Sequence, residues 1–160
     1  MKNLQKLGRL AAIILSFTYI LGMGFVFSVL SPIADSSLAF DKYMDFIKTN
    51  KTIIFIWHFI IYFINGICLI ILILVLYEIY KDIHPQIIKI STSFGFILTL
   101  FVFLSVLITN YGIKYLISLY VKNLSQLEIL RITIDTITLS IDHSDKFLGG
   151  LWIGLQVLLG

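Results

Sequence analysis

Three polar side chains in an otherwise apolar stretch have the types and spacing to do chemistry: His58, Tyr62 and Asn65. They stand at i, i+4 and i+7, and a helix turning roughly 100° per residue sets them within a ~60° arc, on one face. Such a face can line a small polar pocket, and a histidine in it is suited to respond to protons near neutrality. His58, Tyr62 and Asn65 are therefore the ligand-binding residues the sequence offers. The commoner use of such a face is hydrogen bonding between helices, worth about 0.6 kcal/mol on average in membrane proteins. No carboxylate joins the face in the sequence pattern, so the structural use is preferred.

The densest polar cluster is Asp142-His143-Ser144-Asp145. Two carboxylates and an imidazole could hold a metal or move a proton. Neighbouring residues on a helix point in different directions, however, so the preferred reading is the polar start of a last helix, with Ser144 or Asp145 as N-cap. Thr92, Thr99 and Asn110 share a second face, placed to meet His58 across a helical hairpin. Glu78 and Lys81 form an i, i+3 pair suited to a solvated helix end. The single cysteine, Cys68, has no partner for an internal disulfide and reads as a small buried apolar residue. There is no GxSxG, no HExxH, no phosphate-cradling glycine loop and no pair of intramembrane carboxylates. No catalytic residue, metal or cofactor is expected. Lys and Arg are scattered rather than clustered, so nucleic acid is not an expected partner.

These residues must be positioned by elements of unusual composition. Of 160 residues, 59% are hydrophobic and 13% charged, with a net charge of +3 and a mean hydropathy of +0.99. A soluble domain is about 45–50% apolar and about 25% charged, so this chain belongs in lipid. Charged residues are absent from 10–34, 52–77 and 90–113. A helix of roughly 25 residues reaches about 37 Å, enough for a ~30 Å hydrocarbon core with some tilt. A barrel would show short alternating strands instead. The first window could be a secretory signal, with Lys2, Lys6 and Arg9 before it and Ser37-Leu38-Ala39 after it, but it is longer than a signal core.

The expected architecture is all-α: a polytopic transmembrane bundle in a single membrane domain. It has three full spans (about 10–31, 53–80 and 88–111), one amphipathic peripheral helix (about 113–142) and an incomplete fourth span (146–160). The amphipathic stretch carries Ile113, Ile117, Tyr120, Leu124, Leu127, Ile134, Ile137 and Ile141 at about 3.5-residue spacing. Residues 131–141 also alternate as a strand would, but a lone strand has no partner, so helix is preferred. The fourth run has only 14 uncharged residues, from 147 to 160, which suggests an N-terminal fragment cut inside a helix. Gly150 and Gly154 there form a small-xxx-small pair suited to self-association or another membrane helix. Pro85 sits where one helix can stop and the next begin.

By density, Lys2, Lys6, Arg9, Lys81 and Lys89 make one side of the membrane the more basic, which predicts a cytoplasmic N-terminus in a plasma (inner) membrane. Asn50-Lys51-Thr52 and Asn123-Leu124-Ser125 match the glycosylation sequon and fall in the predicted outer loops.

Arg9-Leu10-Ala11-Ala12, Leu21-Gly22-Met23-Gly24, the Pro32 loop, Leu76-Tyr77-Glu78-Ile79-Tyr80 with a tight turn after it, and Phe147-Leu148-Gly149-Gly150-Leu151-Trp152 follow one another in an order that resembles the bacterial integral membrane family known as domain of unknown function 4386. The resemblance covers nearly the whole chain, implies further helices beyond residue 160, and implies no activity, cofactor or catalytic residue. The sequence thus points to a non-enzymatic, multi-pass membrane protein with the lipid bilayer as its partner. A structural or accessory role comes first. A small-solute transporter or sensor using the polar face of the second helix comes next, and a membrane-embedded enzyme third.

Overall fold

A computed structural model describes residues 2–35, 37–119 and 124–159 of the chain. Those residues form helices α1 (Lys2–Phe27), α2 (Ser31–Ala34), α3 (Phe40–His58), α4 (Asn65–Tyr80), α5 (Pro85–Leu119) and α6 (Leu124–Val157), with a π-helical segment, Phe59–Ile64, joining α3 to α4. Among the described residues there is no strand, and the 131–141 stretch is helical. Three helical stretches are long and apolar enough to cross a membrane: Asn3–Phe27, Phe40–Tyr80 and Pro85–Leu119. Their outward surfaces carry exposed Phe17, Ile20, Ile97 and Leu100, which is compatible with lipid contact.

Small residues decide which faces of α1 turn inward. Gly8, Ala11, Thr18 and Gly22 recur at helical spacing and lie against α4 and the π segment. A Cβ at Gly8 would sit 2.8 Å from Val75 Cγ1, and one at Gly22 would collide with the Ile61 side chain. The helices can therefore approach closely only because these positions lack a side chain. The turn at 81–84 then reverses the chain, and Pro85 is the first residue of α5, as its fixed φ and missing N–H favour. At the turn Lys81 Nζ donates to Glu78 Oε2 at 2.6 Å, and this bond pushes the lysine's pKa up.

α3 begins well before the uncharged window because its first half is amphipathic. It buries Tyr43, Met44 and Ile47 with Ile54, Ile113, Leu116, Leu127 and Leu30. Arg131 closes this cluster, 3.6 Å above the Tyr43 ring and 3.4 Å from Asp135 Oδ2. Asn50 accordingly lies within a helix, donating to the Phe46 carbonyl at 3.0 Å, rather than in the loop expected for a glycosylation site. Asn123 of the second sequon lies outside the described residues.

The largest departure from the sequence expectation concerns 113–160. Residues 113–119 complete α5, and 124–157 form one helix packed antiparallel along it; Tyr120 to residue 123 lie outside the described residues. The register is fixed at five levels. Ile134 packs on Gly112, Thr138 faces Thr109, Asp142 bonds Ser105, Trp152 packs at Gly95, and Gln156 bonds Ser91. The amphipathic stretch is therefore not a separate peripheral helix, and no helix starts at Ser144 or Asp145. Ser144 Oγ instead bonds the Ser140 carbonyl within α6. Charged side chains end an apolar window in a hydropathy reading, but they do not interrupt backbone hydrogen bonds that a helix makes within itself.

Candidate functional site

A layer of polar side chains lies between two apolar clusters, the one around Met44 and Ile47 and another of Leu69, Ile73, Leu98 and Trp152. Every helix but the short α2 contributes to it. His58 Nδ1 and Asn110 Oδ1 are 2.6 Å apart, between the end of α3 and α5. Asn65 Nδ2 donates to Thr18 Oγ1 at 3.3 Å, tying α4 to α1. Ser105 Oγ donates to Asp142 Oδ1 at 2.8 Å, tying α5 to α6. His58 and Asn65 are 4% and 6% exposed and Ser105 1%, so each of these bonds replaces water that cannot reach the group.

The π segment separates the predicted trio. Its i→i+5 pattern turns the chain by less per residue than an α-helix does, so residues 58 and 65 no longer share one face. His58 goes to α5 and packs edge-on against Tyr62, with ring centroids 5.7 Å apart. Tyr62 and Asn65 instead line a cavity of about 750 Å³. Asn110 meets His58 as its spacing predicted, whereas Thr99 turns back to the Gly95 carbonyl at 2.9 Å.

That cavity is bounded by α1, the π segment, α4, α5 and α6. Its walls are mostly apolar, with Leu15, Leu69, Leu72 and Leu98 among them. Its polar groups are Ser16 and Tyr19 from α1, Tyr62 and Asn65, and Asp142 and Lys146 from α6, with Trp152 beside them. The site thus gains a carboxylate and an ammonium that the sequence did not assign to it. Asp142 and Lys146 are one helical turn apart, on the same side of α6. Among the described residues neither Asp142 nor Lys146 has an ion-pair partner. Of the other polar residues nearby, His143 lies exposed with Nδ1 2.7 Å from the Leu139 carbonyl. No group of three or more His, Cys, Asp or Glu among the described residues is arranged to hold a metal.

The sequence did carry a signal for Asp142. Ser91, Gly95, Ser105, Thr109 and Gly112 place small residues on one face of α5, and every one of them meets α6. What the sequence could not supply was the register that sets Asp142 at the level of Ser105.

The bond between His58 and Asn110 should be measurable as a coupling. Unfolding in mixed detergent of His58→Ala, Asn110→Ala and the double variant should give an interaction energy of about 0.6 kcal/mol and no more than about 1.7. Strict additivity would remove this bond from the account of the polar layer. Comparison of the chain with protein-family models, curated proteins and solved structures yields no match.

Proposed function

We propose that this is a multi-pass membrane protein whose central cavity binds a small solute, as a transporter or a sensor. The observation that carries the reading is the position of Asp142, set against Ser105 within the uncharged window of α5 and lining a cavity with Tyr62 and Asn65. A carboxylate at that depth costs about 2.5–3.5 kcal/mol by insertion scales, a cost that functional sites commonly carry. In this reading α6 crosses the bilayer beside α5. Its stretch from the level of Gly112 to that of Ser91 is about 23 residues, or ~34 Å. The N-terminus is on the cytoplasmic side of the plasma membrane, following the density of Lys and Arg. Gly150 and Gly154 have nothing within 4 Å of a Cβ added to them, which supports approach of a second copy or another membrane helix on that face. Kinship with the domain of unknown function 4386 family belongs to the same proposal, on the residues quoted for it, and adds no activity.

The test is solvent access. In a Cys68→Ala background, Val102→Cys places a thiol on the cavity wall and Leu100→Cys places one on the exposed apolar surface. A membrane-impermeant methanethiosulfonate should label the Val102→Cys protein in vesicles and leave the Leu100→Cys protein unlabelled. Equal inertness of both, with a Ile83→Cys control in the turn reacting, would return the polar layer to a purely structural role.

A further inference from the structure

Resting on that reading, we propose that the cavity takes a zwitterion with an apolar tail, its ammonium on Asp142 and its acid group on Lys146. The argument starts from charge. Both residues line the cavity, and neither has an ion-pair partner among the described residues. Asp142 uses Oδ1 to accept from Ser105, which holds the carboxylate in place and leaves Oδ2 for a second donor. Lys146 stands one turn further along α6, and side chains so spaced have Cβ atoms about 5–6 Å apart. Both charged side chains can therefore reach one small molecule that bears an amine and an acid.

Other ligand classes fit less well. A simple cation would satisfy Asp142 but meet the Lys146 charge, and a simple anion would do the reverse. A neutral polyol would leave the charges of both Asp142 and Lys146 without a counter-charge. A zwitterion satisfies both charges at once, through charge-assisted hydrogen bonds. Asn65 gives one amide hydrogen to Thr18, and its carbonyl oxygen can accept from the ligand ammonium. Leu15, Leu69 and Leu72 then receive the apolar tail.

The same chemistry can arrive from water, as an amino acid with an apolar side chain, or from the bilayer, as an aminophospholipid. The second route has a path. α1 packs on α4 and α6 on α5, while α1 and α6 have no extended packing on each other. The cavity is therefore open between them, on the side from which a lipid headgroup could enter.

The experiment follows thiol protection in the Cys68→Ala, Val102→Cys protein, reconstituted in phosphatidylglycerol nanodiscs. Leucine should slow labelling, whereas leucinamide and 4-methylpentanoate, which each carry one of its two charges, should not. Asp142→Asn and Lys146→Gln should each raise the leucine concentration for half-protection at least about tenfold, as loss of a charged hydrogen-bond partner implies. Protection by phosphatidylethanolamine in place of leucine supports the same chemistry with the bilayer as its source. Labelling that neither ligand slows, or that leucinamide slows as well as leucine does, overturns the zwitterion and leaves the solvent-filled cavity standing. Absence of labelling overturns both.

Discussion

Gly95→Leu should destabilise the protein by about 1–3 kcal/mol, the usual cost of forcing volume into a packed core, or prevent its folding. Gly95 lies where three helices meet. A Cβ there would stand 2.8 Å from Ile73 Cγ1 of α4 and 2.9 Å from the Trp152 indole nitrogen of α6. Ile73 is fully buried and Trp152 nearly so, and a planar indole wedged between helices has little room to turn. The effect should appear as a lower midpoint in detergent denaturation. Gly150→Leu is the matched control, because a Cβ at Gly150 meets nothing within 4 Å. It should change the monomer's stability by less than about 0.5 kcal/mol. Equal losses at the two glycines would mean that close approach of α4, α5 and α6 is not what position 95 provides.

Removing the polar pair at the centre of the bundle should have the opposite sign. The double variant Ser105→Ala with Asp142→Leu should be more stable than the parent by about 1–3 kcal/mol, the range that the insertion cost of a mid-membrane carboxylate allows. Replacing both partners matters, because removing one strands the other, while replacing both with apolar groups of similar shape is neutral or stabilising. The Ser105→Ala single variant should therefore be the less stable one, since it removes the hydrogen bond that Asp142 Oδ1 accepts. A stabilised double variant that no longer shows leucine protection is what a binding site predicts: stability given up for function. A double variant less stable than the parent would make Asp142 a structural anchor and remove the observation on which the solute-binding reading rests.

Much of the fold was legible in residues taken singly. The uncharged stretches around Leu10–Ala34 of the chain's start, around Asn65 and around Val102 announced long apolar helices, because transfer into lipid is close to a sum over side chains. Pro85 marked the hairpin because proline's constraint is local. The meeting of Asn110 with His58 followed from spacing across a short turn.

The site was less legible, for two reasons that particular residues show. The π turn between His58 and Asn65 shifts the phase of the helix, and nothing in Phe59 to Ile64 marks it, because these apolar residues suit either hydrogen-bonding pattern. Asp142 and Lys146 looked like the boundary of a span, yet they lie inside one helix and face a cavity built by four others. The sequence by itself determined that this chain is helical, that three of its stretches are apolar enough for lipid, and where one hairpin turns. Only the tertiary structure decided that α6 runs unbroken along α5 and which polar groups share a cavity. Hydropathy and helical period depend on residues a few positions apart, whereas the register between α5 and α6 depends on how Gly95 and Gly112 accept Trp152 and Ile134 from a segment tens of residues away.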